Sequence, residues 1–312
     1  MRRKLLSGKM AGILAVLLVL FIVTGVAEEE RTDASGQWKY VLEEVGATIT
    51  GYVDESAGDL VIPCNLDGYP VTGIGFAAFE MYQGLTVVVI PEGVTDIGPA
   101  AFDYCENLAN IVIPDSVTNI GDSAFYQCFA LSDVTIPASV TSIGDGAFMG
   151  SGLTGMVIPN GVTSVSDEMF SHCYRLSSVV IPDSVTSIGD MAFYRCSYLA
   201  SMTIPNSVTR IGEFAFFRCT GLSSVTIPDS VTHIGSHAFA ACSGLTSVTI
   251  PAGVTSIDDD AFDAPNSVYD ADEIDDMDVV YGSDNLTLTI TEGSSAEQYA
   301  KENSIPYVLA AE

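Results

Sequence analysis

Apolar and polar positions in this chain recur on a fixed beat. The stretch Leu222 to Ala241, LSSVTIPDSVTHIGSHAFAA, is repeated with small changes along most of the sequence. Ile-Pro returns at Ile90, Ile113, Ile136, Ile158, Ile181, Ile204, Ile227 and Ile250, every 23 residues except for one step of 22 between Ile136 and Ile158. A phenylalanine keeps the same time at Phe79, Phe102, Phe125, Phe148, Phe170, Phe193, Phe216, Phe239 and Phe262. Within one unit, Leu222, Val225 and Ile227 point inward, the last two at the spacing a short strand requires. Pro228 removes a backbone donor and ends that strand, and Asp229-Ser230 turns the chain. Val231 and Ile234 return to the core, Gly235 allows a tight bend, and Ala238-Phe239 closes the coil with a small residue and a large plug.

No single unit can bury its own apolar face, so each is stable only when stacked on its neighbours. A period between 20 and 29 residues with an L-x-x-V-x-I core marks a leucine-rich-repeat solenoid. The expected fold is therefore a repeat solenoid with a 23-residue period, a parallel β-sheet of short strands, turns or short helical segments between them, and a cap at each end. With strands roughly 4.8 Å apart, eight or nine coils give a rod on the order of 40 Å long.

The ends depart from the beat. Residues 1–27 read as an export signal: Arg2-Arg3-Lys4 and Lys9, an apolar run from Ala11 to Thr24, then Gly25-Val26-Ala27 as a small-x-small cleavage site. The competing reading is an uncleaved anchor, at the short limit for a span. Residues 28–61 read as an N-terminal β cap, the alternation within 37–62, as at Ala47-Thr48-Ile49-Thr50 before Gly51, marking a hairpin that would cover the first coil. The array runs over 62–262, its first unit lengthened at CNLDGYP. Residues 263–312 read as an acidic loop and a C-terminal cap, without an apolar tail or wall-sorting motif.

Charge changes the picture of partners. The formal net charge is −29, four of the eleven basic residues precede position 28, and all forty acidic residues follow position 27. Such a chain repels phosphates, which excludes nucleic acid and anionic membrane surfaces and favours neutral or cationic partners. The acidic run Asp258 to Asp278 lacks the glycine and terminal glutamate of a calcium loop and reads as solvated.

Seven cysteines in an exported chain invite a disulfide reading. Six of them (Cys105, Cys128, Cys173, Cys196, Cys219 and Cys242) fall three residues after the repeat phenylalanine. Stacking sets them in an internal ladder, interrupted at Ser151. Parallel Cβ vectors suit bridges poorly, so buried reduced thiols are expected, and a ladder of one per coil is no metal cage. Cys64 stands apart in the first unit. His172, His233 and His237 form no metalloprotease motif, and neither a nucleophile elbow nor a phosphate loop occurs. No catalytic residue, metal or cofactor is assigned, and the chain reads as a non-enzyme.

The informative variation lies between each repeat phenylalanine and the next leucine. Tyr104, Tyr126, Phe129, His172, Tyr174, Arg175, Tyr194, Arg195, Tyr198, Phe217 and Arg218 would align along one edge of an acidic rod. Aromatic residues and arginine are the types enriched at protein interfaces, so this stripe, His172 aside, is the candidate partner-binding site. The opposing reading is that the rings lie flat over the coil edge, with arginine stems covering them. The strand face, with Thr135, Val157, Val180, Thr203, Thr226 and Thr249, is flat and weakly featured.

The pattern IP-x-S-V-T-x-I-G-x-x-A-F-x-x-C-x-x-L, with DGYPVTGIG in the first unit and SSAEQYAKENSIPYV at the end, resembles the BspA-like leucine-rich-repeat family over about residues 40 to 310. The resemblance implies a secreted or surface-displayed bacterial protein, adhesion or binding of host or neighbouring-cell proteins, and a parallel sheet on one face. It transfers no catalytic residue. The expected function is a non-catalytic, adhesin-like protein at the cell surface that binds an extracellular protein, in the host matrix or on a neighbouring cell. Self-association into a structural rod, or service as a targeting module for a separate enzyme, are the alternatives.

Overall fold

A computed structural model of the chain describes residues 29–54, 58–262, 268–269, 280–281 and 285–311. The expected export signal lies outside the described residues, as does most of the acidic run. Where the chain is described, it winds into a parallel β-solenoid of about ten turns with little helix.

Three ladders join the coils, the two strand ladders being interrupted in places. On the first face, short strands such as Ser224–Thr226 and Ser247–Ile250 pair in parallel, Val225 opposite Val248. A second face carries two-residue strands, for example His233–Ile234 beside Ser256–Ile257. Parallel pairing thus occupies two faces, where one was expected. The third ladder is the phenylalanine segment, wound through left-handed residues on both sides of the ring: Phe214 (φ 53°) and Arg218 (φ 58°) flank Phe216. That winding turns alternate N–H groups forward, so those of Phe214, Phe216 and Arg218 donate to the carbonyls of Ser236, Ala238 and Ala240 at 2.9, 2.7 and 3.0 Å. At the bend after the second strand the coils nearly touch. A Cβ on Gly212 would lie 2.6 Å from the Asp190 nitrogen, which is why glycine recurs there.

Leu, Val, Ile and Phe of every unit are buried in one continuous core. The phenylalanine rings stack from Phe79 to Phe262 with centroids 5.0 to 6.0 Å apart. A tyrosine closes this column at each end. Tyr82 meets Phe79 edge-on, and Tyr299 of the helix Ser295–Glu302 meets Phe262 while its hydroxyl donates to the Phe262 carbonyl at 3.1 Å. At the N-terminal end, the antiparallel strands Trp38–Leu42 and Ala47–Tyr52 join the second face through Tyr69–Ile74.

The six ladder cysteines are buried and free, and Cys64 is free and exposed. Each buried thiol donates to the carbonyl of the phenylalanine one coil back, Cys219 to Phe193 at 3.1 Å and Cys105 to Phe79 at 3.0 Å. Burial pushes the Cys105 thiol up to about 12 and Cys173 up to about 11. Since the thiolate is the reactive form, iodoacetamide at pH 8 is expected to alkylate only Cys64 in the native protein and all seven cysteines in denaturant. Mass spectrometry counts the adducts, and rapid native labelling of a second cysteine would contradict this packing.

The 22-residue step leaves a structural mark. Elsewhere the threonine of the second face donates to its counterpart one coil back, as Thr186 does to Thr163 and Thr209 to Thr186, both at 2.9 Å. Among the described residues, Thr163 makes no such bond to Thr141, and Ser142–Ile143 does not pair with Ser164–Val165. First-face pairing is interrupted at 133–135 and again at 201–203, where the steps are a regular 23 residues, so that gap does not follow from the short step. The Ser166 hydroxyl, donating to the Ile143 carbonyl at 2.6 Å, partly replaces the lost bonds. The phenylalanine ladder continues unbroken, through Gly146, Phe148 and Gly150, and the Thr154 N–H still donates to the Ser132 carbonyl at 3.0 Å; the widest ring spacing, 6.0 Å, falls here between Phe148 and Phe170. An amide without an acceptor exchanges through smaller openings. The Thr163 amide is therefore expected to exchange at least about tenfold faster than that of Thr186 or Thr209; equal protection of the three would refute the open seam.

Candidate partner-binding surface

The five residues after each repeat phenylalanine lie on one edge of the solenoid, and the structure divides them. Phe129, Tyr174, Arg175 and Tyr198 occupy the outer corner and are exposed, Tyr198 at 69%. Tyr104, Tyr126, His172, Tyr194 and Arg218 are partly buried. Arg195 and Phe217, expected at the surface, are buried at 7% and 1% exposure. The reason is local packing. The Phe217 ring stacks on Tyr194 at 5.3 Å, meets Phe214 edge-on, and packs with Ala240 and Ala241 in a small apolar cluster separate from the main core. Arg195 lies with its guanidinium carbon 5.4 Å from the Tyr194 centroid, where cation and ring attract. For these two residues the flat-lying arrangement holds.

The stripe is also interrupted. Tyr104 and Tyr126 make an edge-to-face pair at 5.2 Å. A second run links Tyr174, His172, Tyr194, Phe217, Phe214 and His237, ring to ring, with Phe214 stacked on His237 at 4.7 Å. Between them the short coil contributes Met149-Gly150-Ser151-Gly152, without an aromatic side chain. Phe214 and His237 were not among the expected site residues. They lie two positions before a repeat phenylalanine, on the other side of the left-handed bend, and only the coil geometry brings them into the run.

Three further features escaped the sequence reading. Asp103 follows Phe102 directly and is buried at 6% exposure, with no hydrogen-bond partner at Oδ1. Burial, and then the neighbouring Glu80 carboxylate, push its acid up to about 7. Secondly, the residue after the bend glycine or serine forms an aspartate ladder: Oδ1 of Asp122, Asp145, Asp167 and Asp190 accepts the N–H of Asp145, Asp167, Asp190 and Glu213, at 2.8 to 3.2 Å. Burial and the flanking Asp167 and Asp122 carboxylates raise Asp145. Thirdly, exposed valines extend the strand face beyond the expected residues, to Val61 and Val112. From Thr154 to Thr249 its outward residues are Ser, Thr, Val, Ala and Gly, with no charge.

His233 and His237 face different carboxylates on the next coil, Asp258 at 3.4 Å and Asp260 at 4.0 Å, so they do not share a site. Among the described residues no group of three His, Cys, Asp or Glu side chains is arranged to hold a metal ion.

A family profile described as the BspA-type leucine-rich repeat region matches residues 72–199 and 163–270. A leucine-rich cell surface protein from Faecalibacterium prausnitzii has a crystal structure similar to this chain, with 35% identity and a TM-score of 0.60, covering 74% of this chain and 73% of that one. A leucine-rich repeat protein from Bacteroides ovatus is 27% identical, with a TM-score of 0.61, covering 91% of this chain and 76% of its own. No curated protein matches the chain.

Proposed function

Because the chain belongs to the BspA-type leucine-rich repeat family, we propose that it is a non-catalytic binding protein, exported and held at or near a bacterial surface, that recognises extracellular protein. The observation that carries the reading is the outer corner of the repeat edge, where Phe129, Tyr174 and Tyr198 stand exposed and Arg175 makes no ion pair among the described residues. Exposed rings beside arginine are the side chains that dominate binding energy when a partner covers them. A named cell-surface relative supports the location.

The test is biolayer interferometry of residues 28–312 against extracellular matrix proteins, mucin and bacterial surface extracts. A Tyr174→Ala/Arg175→Ala/Tyr198→Ala variant runs beside the wild type. A saturable signal lost in the variant is the expected result. A signal that survives moves the site away from this corner, and silence across the panel removes the adhesin reading.

The second reading, self-association, is favoured by the uncharged strand face. On a molecule of net charge −29, two copies meet with least repulsion where no charge is carried. Sedimentation velocity over a range of concentrations decides it, with oligomers abolished by Val157→Glu/Val180→Glu as its signature.

A further inference from the structure

At the N-terminal end of the stripe, an acidic corner is built as if to receive a positive charge. Glu80, Asp103 and Tyr126 each directly follow a repeat phenylalanine and therefore stack on three successive coils. Tyr104 stands beside them edge-to-face with Tyr126, at 5.2 Å. Glu106, whose N–H donates to the Tyr104 carbonyl at 2.9 Å, completes the rim. Asp103 is recessed, and its Oδ1 is shut off from solvent with no donor in reach. Among the described residues no cation pairs with Glu80, Asp103 or Glu106.

The Tyr104 backbone N–H is one donor to the Asp103 carboxylate, but a carboxylate oxygen placed out of water with neither donor nor counter-ion, as Oδ1 is, remains costly, and folded proteins seldom retain one without use. The negative field of the Glu80 carboxylate makes the position worse for an anion and better for a cation. We propose that this corner binds a lysine side chain of a protein partner, with the ammonium against Asp103 and Glu80 and its stem along the Tyr104 and Tyr126 rings. Three considerations select that ligand. Ammonium groups are attracted to the faces of tyrosine rings as well as to carboxylates. The slender aliphatic stem of lysine can follow apolar ring surface into a recess, where a planar guanidinium is wider. A bare divalent ion is disfavoured, since no three such ligands converge among the described residues. The acidic field of the whole chain would draw cationic side chains towards it.

This proposal rests on the protein-binding reading above but can fail separately from it. The experiment immobilises a glycine- and serine-based peptide with one lysine, and a matched peptide carrying acetyl-lysine. Both are probed with wild type, with Glu80→Gln/Asp103→Asn, and with Glu92→Gln/Asp115→Asn, which removes the same formal charge at exposed positions elsewhere. Wild type and the Glu92/Asp115 variant are expected to prefer the lysine peptide by about tenfold, and the Glu80/Asp103 variant to lose that preference. Circular dichroism melts of all three proteins verify folding. A preference retained without Glu80 and Asp103 would assign binding to net charge and overturn the proposal, as would a wild type with no preference. If the peptides fail while the interferometry panel still gives a signal dependent on Tyr174, Arg175 and Tyr198, this corner is wrong and the protein-binding reading stands.

Discussion

Phe193→Ala is expected to destabilise the solenoid by about 3–5 kcal/mol, read as a lowered midpoint in urea unfolding followed by circular dichroism. The ring is fully buried and stacked on both sides, with Phe170 at 5.4 Å and Phe216 at 5.1 Å. Removing it takes away the transfer free energy of a phenyl group and two ring contacts, and it leaves a cavity that cannot collapse. The coils above and below are fixed by the hydrogen bonds of Phe193 N–H to Ala215 and of Phe170 N–H to Ala192. Stability in such an array is close to a sum of coils and their interfaces. The weakened coil should therefore broaden the transition, or split it into two steps, more than an equal loss at an end would. Phe129→Ala supplies the contrast, for that ring is exposed at a corner and its loss should cost within about 0.5 kcal/mol. A loss below about 1 kcal/mol for Phe193→Ala would show that the column does not hold the coils together.

The same contrast explains which parts of the molecule were legible in the sequence. A residue type that returns nine times at one phase, as the phenylalanine does, fixes the period, the column and the burial of its neighbours. The thiol ladder follows from the same phase, although its bond to the preceding phenylalanine carbonyl does not, because that geometry depends on the left-handed residues either side of the ring. The step of 22 residues was visible, but which ladder gives way there was not. The missing residue lies after Phe148, yet the bond lost there is that of Thr163 on the second face.

Arg195 and Phe217 show the limit most clearly. Strand positions alternate, so one neighbour declares the direction of the next. The residues after the repeat phenylalanine follow no such alternation, because the second of them is left-handed (Arg195, φ 61°). Composition then suggests the wrong answer, since arginine is expected outside. Asp103 was hidden for the same reason. An acidic residue in a variable segment reads as solvated, whereas its place directly after Phe102 is one the coil recesses.

Asp103→Asn is expected to stabilise the protein at pH 8 and to leave it nearly unchanged at pH 4. Burial, joined by the Glu80 carboxylate, raises the Asp103 acid from an ordinary 3.8 to about 7. In the folded chain the carboxyl therefore keeps its proton up to about pH 7, while in the unfolded chain it has ionised well below that. Between those values the folded state binds more protons than the unfolded one, so this group's contribution to stability falls as pH rises from about 4 to 7 and is level above. That rise corresponds to at most about 4 kcal/mol. The Glu80 part acts near the surface and is screened, so about 1–3 kcal/mol is the expected gain for asparagine at pH 8. Thermal melts of wild type and variant at pH 4, 6 and 8 measure it, and the difference between the two proteins cancels every other titrating group they share. If the two melting points ran parallel across that range, Asp103 would have to be solvated or paired. A variant gaining stability as pH rises, while losing its preference for the lysine peptide, would mark Asp103 as a group kept for binding at a cost to the fold.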